Sequence, residues 1–320
     1  MKKINSKRIK FISKMIITII LCWIIIYNID FKLISSHLKN INIMGASFVF
    51  TIMLSSIAFS AYKWQVILSI HNLEYKLSDL LRYYYIGMFF NNFLPTSIGG
   101  DSYRIYKTIN NLRSKTSSIV AVLVERISGL LALIFLGFLG GLVGLFYGSQ
   151  KIAKLYVAIW VIIFIVFIIF IISSKNMWIR KHIKKVKYFH KSFENLTDHM
   201  EDYKRNKSKT LEVSIISLFY HLLAIIRYFV LILAVGGRCP FWAVAIVASL
   251  SVLVSLIPIS LNGIGLLDGS FVYLIGFYGV DREESISVML LNRVLLIIVS
   301  VVGGMLYIME NRSMNHTKTT

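Results

Sequence analysis

IAKLYVAIWVIIFIVFIIFII, residues 152–172, carries one charge, Lys154, and then eighteen residues with none. A helix rising 1.5 Å per residue needs about 20 apolar residues to cross the hydrocarbon core of a bilayer, and this stretch supplies them. Strands of a membrane barrel would alternate apolar and polar residues, and this run does not. The rest of the chain agrees. Of its 320 residues 57% are hydrophobic and 16% charged, too little polar surface for a soluble domain of that length. The fold class is an all-α polytopic membrane protein.

Further apolar segments lie at about 11–27, 43–62, 80–95, 117–147, 211–235, 240–258, 262–280 and 286–308, with residues 29–43 read as loop. Net charge is +20, which raises nucleic acid as a partner. The cations instead crowd the N-terminus (Lys2, Lys3, Lys7, Arg8, Lys10) and the hydrophilic segment 174–210, beside apolar spans. That is how cytoplasmic loops face anionic lipid, so no nucleic-acid role is expected. The N-terminal run has no small-residue cleavage site after it and reads as an uncleaved first span. Cys22 and Cys239 are far apart and give no disulfide or metal spacing.

Lysine and arginine placement orients the spans. With the basic N-terminus inside, the second span returns residues 63–82 to the cytoplasm. Residues 80–95 pose a choice, because Arg104, Lys107, Arg113 and Lys115 follow soon after. A full crossing would strand those cations outside. A re-entrant hairpin that breaks at 95–100 keeps them inside. Segment 174–210, with eleven Lys/Arg against four Asp/Glu, then falls in the cytoplasm as a solvated loop. The pair 240–258 and 262–280 dips in from outside, and both termini are cytoplasmic. The expectation is roughly 7–8 transmembrane helices with two re-entrant hairpins in one integral membrane domain of the plasma membrane. Its parts are an anchor span (1–42), a first repeat (43–173), the basic loop (174–210) and a second repeat (211–310).

The repeat rests on two stretches. NNFLPTSIGGDSYRIY (91–106) is followed by VLVERISGLL (122–131), and SLIPISLNGIGLLDGSFVY (255–273) by VMLLNRVLLI (288–297). Pro95 and Pro258 are 163 positions apart, whereas Asp101/Asp268, Tyr106/Tyr273 and Arg126/Arg293 are each 167 apart. A four-residue insertion at the second break aligns the halves, with hairpins entering from opposite faces. Inverted repeats with broken helices are the architecture of many transporters, whose substrate site lies between the repeats.

Proline removes a backbone donor and glycine relaxes the helix, so Pro95–Gly99–Gly100 and Pro258–Gly263–Gly265 interrupt hydrogen bonding. Broken backbone facing lipid is too costly, so each break must be buried in protein or line a wet cavity. A helix restarting after the glycines offers N–H groups to an anion such as phosphate. The alternative is a kink that only permits close packing. Ionisable residues inside spans are either functional or paired. Arg126 and Arg293 read as ion-pair partners of Asp101 and Asp268, or as phosphate-binding arginines held by those carboxylates. Glu125, Arg104, Asn92 and Asn262 complete the candidate substrate-binding set. Arg227 reads as a snorkelling or bridging residue and His221 as a packed polar one. Glycines 137, 140, 141, 144 and 148 read as a close-packing face, and Trp64 as part of an interfacial aromatic belt. No metal ligand set, cofactor motif or catalytic residue is recognised.

NxxLPxxxGGDxxR (91–104), the Glu125–Arg126 pair, and PxxxNGxGxxDGxFxxLxGxxGV (258–280) followed by Arg293 resemble the lysylphosphatidylglycerol synthase/flippase transmembrane family, over nearly the whole chain. The family includes the membrane half of the multiple peptide resistance factor. The resemblance implies a flippase that moves an anionic, aminoacylated or polyprenyl-linked lipid between leaflets. The family's lysyltransferase activity belongs to a separate cytoplasmic domain, so no enzyme activity is expected of the residues here. The second motif departs from the family pattern, with Ser-Leu-Asn-Gly where Pro-Gly-Gly is common and Asp268 where Glu is usual. The other readings are a membrane-embedded transferase acting on a lipid headgroup and an accessory subunit partnering a lipid- or glycan-pathway enzyme. The sequence carries no sign of oligomeric state.

Overall fold

The structure, a computed structural model, describes residues 6–26, 31–39, 41–93, 99–109, 112–147, 154, 157–163, 165, 202–257 and 259–316. Among these no strand occurs. The helices are α1 (Ser6–Ile26), α2 (Phe31–Lys39), α3 (Ile43–Ile70), α4 (Leu77–Phe93), α5 (Gly99–Lys107), α6 (Leu112–Tyr147), α7 (Lys207–Ala234), α8 (Phe241–Ser255), α9 (Leu266–Gly276) and α10 (Arg282–His316). Residues 157–163 are also helical. Among the described residues four helices, over Ile43–Ile70, Lys115–Tyr147, Lys207–Ala234 and Arg282–Glu310, are long and apolar enough to cross a membrane. Shorter apolar helices cover Ser13–Trp23, Phe241–Ser255 and Leu261–Gly276. Ile297, Ile298, Val301, Val302 and Met305 stand exposed along α10, a density of outward apolar side chains that water disfavours and lipid accepts. Pro95, Pro258 and residues 174–201 of the basic loop lie outside the described residues.

Local chemistry sets several helix ends. Asn42 Oδ1 accepts the main-chain N–H of Met44 (3.0 Å) and Gly45 (3.2 Å), an N-cap that stabilises the start of α3 by about 1 kcal/mol. At its other end Asn72 turns left-handed (φ 57°) and Leu73 N–H returns to Leu68 O at 3.0 Å. α7 closes in the same way, through Gly236 (φ 95°) and a 2.9 Å bond from Gly237 N–H to Ile232 O. α2 replaces part of the loop expected over 29–43. It is short and amphipathic, buries Ile34, and places His37 Nδ1 at 3.1 Å from Val235 O.

The chain divides into two compact units. One comprises Met1–Ile57, Arg82–Tyr103 and Leu223–Thr320. In it α4 and the start of α5 run antiparallel: a Cβ on Gly100 would fall 2.0 Å from Gly87 O, and the rings of Tyr83 and Tyr103 are 6.3 Å apart. α8 and α9 form the second antiparallel pair, with a ring contact between Trp242 and Tyr278 (5.3 Å) at the open end and Gly263 against Ser255 at the closed end. α10 packs on α4 through glycine: Cβ atoms on Gly303 and Gly304 would meet Tyr85 O at 2.0 Å and the Phe89 ring at 2.8 Å. Phe90, Tyr103 and Tyr307 stack around that seam, where Tyr103 Oη donates to Glu310 Oε2 (2.9 Å).

The other unit comprises Ala58–Leu81 and Arg104–Leu222. Here the glycine face of α6 does what its spacing predicts. A Cβ on Gly137 would lie 2.1 Å from the buried Trp160 ring, and one on Gly141 would lie 3.1 Å from Val157. At the polar end of α3, His71 bridges Asp202 (Nδ1 to Oδ2, 3.3 Å) and Tyr203 (Nε2 to Oη, 2.8 Å). Burial, then the neighbouring Asp202 charge, hold the Tyr203 hydroxyl well above its ordinary pKa, so it stays protonated beside Nε2. Lys63, expected in a loop after the second span, is interior to the 28-residue α3 and 4% exposed. Trp64, expected at an aromatic belt, is fully buried.

Candidate functional site

The first unit holds the second sequence break. α8 ends at Ser255, and the chain then takes left-handed backbone at Asn262 (φ 49°), Gly263 (φ 72°) and Gly265 (φ 78°) before α9 restarts. Two contacts with α1 hold this loop: Leu261 N–H donates to Thr18 Oγ1 (2.9 Å), and a Cβ on Gly265 would press to 2.7 Å from Leu21 Cβ. In the restarting helix Asp268 sits at the third position. Its Oδ2 accepts the Gly265 main-chain N–H at 2.9 Å and so caps the helix it belongs to.

The same carboxylate receives Arg293 from α10 in a two-point fork, Nη2 to Oδ2 at 2.8 Å and Nε to Oδ1 at 3.2 Å. The side chains are 12% and 28% exposed. The Asp268–Arg293 pairing anticipated from the 25-residue spacing is therefore present. Asn292, next to that arginine, is buried with Oδ1 lacking a hydrogen-bond partner among the described residues.

The second break touches the last turn of α4 in this unit. Asn262 Nδ2 donates to the main-chain carbonyl of Asn91 at 3.0 Å, and Asn91 Oδ1 accepts Gly100 N–H at 2.9 Å. Asn92 is half-buried, with its Nδ2 buried and unpartnered among the described residues. Gly99 opens α5 and Asp101 is half-buried on it.

The second unit gathers the remaining candidates. Arg104 Nη1 and Glu125 Oε2 form an ion pair at 3.0 Å with both side chains under a tenth exposed, and the guanidinium lies 4.9 Å from the centroid of the Trp64 ring. Arg126, one step further round α6, is exposed. Sequence reasoning missed Lys63. Its Nζ donates to the Glu125 main-chain carbonyl at 3.3 Å and lies 5.9 Å from the Tyr220 ring centroid. That carbonyl also accepts Ser128 Oγ (3.0 Å), and Ser217 Oγ donates to Ser128 Oγ (3.1 Å). The signal for Lys63 was its position in an apolar run continuing to residue 70, which a span boundary drawn at 62 excluded. His221 is at Gly129, whose absent Cβ would be 3.1 Å from His221 Nε2 and 4.0 Å from Lys63 Nζ. No group of three metal-ligating side chains occurs among the described residues.

These arrangements share one chemistry: guanidinium groups paired with carboxylates, and one ammonium on a main-chain carbonyl, within apolar helices. That suits a polar headgroup entering an apolar interior. No curated protein matches the chain. The family profile of the lysylphosphatidylglycerol synthase TM region matches it over residues 11–304. The multi-pass membrane protein described here belongs to the family of lysylphosphatidylglycerol synthase transmembrane regions.

Proposed function

We propose that the chain is a lipid translocase, passing an anionic, aminoacylated or polyprenyl-linked lipid between leaflets while the acyl tails stay in the bilayer. The observation that carries this reading is the 3.0 Å contact from Asn262 in the second break to Asn91 in the last turn of α4, the helix that leads to the first break of the internal repeat. A broken helix packed beside a fixed ion pair is the arrangement transporters use for a substrate site. Family membership and the apolar helices support a lipid as the substrate.

In this reading the two antiparallel pairs are re-entrant hairpins from opposite faces of the plasma membrane, the repeats are 43–173 and 211–310, and both termini are cytoplasmic. Arg293 takes the headgroup phosphate, and Asp268 holds the guanidinium in place or receives a cationic headgroup. Asp101 and Arg126 serve the other half. The polypeptide moves lipid and does not synthesise it. Purified protein in liposomes should speed the loss of protection of a fluorescent headgroup-labelled phosphatidylglycerol from an added quencher. Arg293→Ala should slow that rate roughly tenfold or more, the cost of one charged hydrogen bond. Equal rates for protein-free, wild-type and Arg293→Ala liposomes would sink the reading.

A further inference from the structure

We propose that the cavity between the polar ends of α3 and α7 binds a lipid headgroup that joins a primary amine to a phosphate. The cavity has a volume of about 420 Å³, inside the range of roughly 300–1,000 Å³ that small-molecule clefts occupy. Its lining lies wholly in the second unit. Tyr62, Gln65 and Ser69 come from one face of α3, Glu74 from the linker after it, and Lys209 and Glu212 from the first two turns of α7. The two helices run antiparallel along it. The Phe59 and Phe219 rings are 4.9 Å apart, Tyr62 Oη donates to Glu212 Oε1 at 2.5 Å, and Lys209 Nζ donates to Ser69 Oγ at 3.0 Å and Ser69 O at 3.4 Å.

Charges of both signs line this space without pairing. Lys209, Glu74 and Glu212 form no ion pair among the described residues. Lys209 has only the neutral acceptors of Ser69, Glu212 keeps a carboxylate oxygen beyond its bond to Tyr62, and Glu74 is exposed. A plain anion entering here meets two carboxylates, and a plain cation meets the lysine. A ligand carrying both signs satisfies both ends at once, phosphate on Lys209 and amine on Glu212 and Glu74. A primary ammonium brings three donors to those carboxylates, whereas a quaternary one brings none. The position selects a lipid. α3 and α7 are each long and apolar enough to cross a membrane, and the cavity lies at their polar ends, the level of headgroups. Leu211, Ile215 and Phe219 stand exposed beside it along α7, a stripe on which acyl chains can lie. None of this rests on the translocase reading, whose Asp268–Arg293 pair belongs to the other unit.

The test is a competition for the purified full chain in neutral detergent between phosphatidylethanolamine, phosphatidylcholine and phosphatidylglycerol with identical acyl chains, read as the ratio of lipids bound by mass spectrometry. Wild type should favour phosphatidylethanolamine over phosphatidylcholine roughly tenfold or more, as expected for one charge-assisted hydrogen bond. Phosphatidylglycerol, with the phosphate and no amine, should bind no better than phosphatidylcholine. Glu212→Gln keeps the shape of the side chain and should bring the ratio close to one. Glu74→Gln, at an exposed position, should lower it too and carries the test if Glu212→Gln does not fold. Lys209→Met should weaken phosphatidylethanolamine and phosphatidylcholine by a similar factor, because both carry the phosphate. Soluble phosphoethanolamine is the remaining probe. Its Glu212-dependent binding without that of the lipid upholds the cavity as an amine-and-phosphate site and makes the free compound its ligand. A wild-type ratio near one overturns the proposal, as does a preference that survives both glutamate substitutions or binding indifferent to Lys209.

Discussion

Replacing Asp268 by alanine removes one carboxylate that accepts three hydrogen bonds, two from Arg293 and one from Gly265 N–H. Taking one partner from a buried ion pair costs about 3–5 kcal/mol, because the other charge is left without its counter-ion. Arg293 is 28% exposed, so water relieves part of this and the lower end, about 3 kcal/mol, applies. The lost cap on α9 adds about 1 kcal/mol. A total of about 4 kcal/mol lowers the folded-to-unfolded ratio roughly a thousandfold. Asp268→Asn should fall between, since an amide oxygen still caps Gly265 but does not balance the guanidinium. The companions are Arg293→Leu and Asp268→Ala/Arg293→Leu; the double variant removes the stranded charge and should recover about 2 kcal/mol relative to Asp268→Ala. Unfolding by titration with an anionic detergent, followed with a thiol-reactive dye that reads Cys22 and Cys239, gives all four values. If Asp268→Ala lies within about 0.5 kcal/mol of wild type, or the double variant equals the sum of its singles, the pair is not coupled and the reasoning fails.

The seam between α10 and α4 makes a second prediction. Gly303→Ala places a methyl 2.0 Å from a main-chain oxygen that has no rotamer to escape into, so the variant should lose about 3 kcal/mol or more and elute as aggregate in size-exclusion chromatography. The third concerns Cys239, between α7 and α8. Burial, and then the charge of Glu284, push its thiol up to about 11. Near pH 8 only about one thiolate in a thousand is therefore present, alkylation should be slow and should quicken as pH rises, and Glu284→Gln should accelerate it at fixed pH.

The sequence located the second break because glycine acts on the backbone locally, and the positive φ values at Gly263 and Gly265 are where the glycines are needed. It also paired Asp268 with Arg293, since the spacing survives translation into helices. The register did not name the ion pair of Glu125 with Arg104. Residues 125 and 126 differ by about 100° around a helix, and spacing between repeats does not say that Glu125 is the one buried. Lys63 and Trp64 were misplaced for a related reason. A lysine normally ends an apolar span, and only the partners gathered from α5, α6 and α7 make its burial tolerable. α2 was missed because nine residues with a narrow apolar stripe resemble a polar loop.

Asn262 shows how far a residue's name can mislead about its role. Aligned on its final glycine, Ser-Leu-Asn-Gly puts an asparagine where the family pattern has glycine, which in a comparison of letters counts as a loss. At φ 49° asparagine is the residue that most nearly shares glycine's freedom, so it can take the left-handed turn that glycine would take. The exchange adds an amide, and that amide reaches the Asn91 carbonyl. An asparagine at this turn therefore serves twice, as the hinge that glycine would be and as a clasp that glycine has no side chain to make.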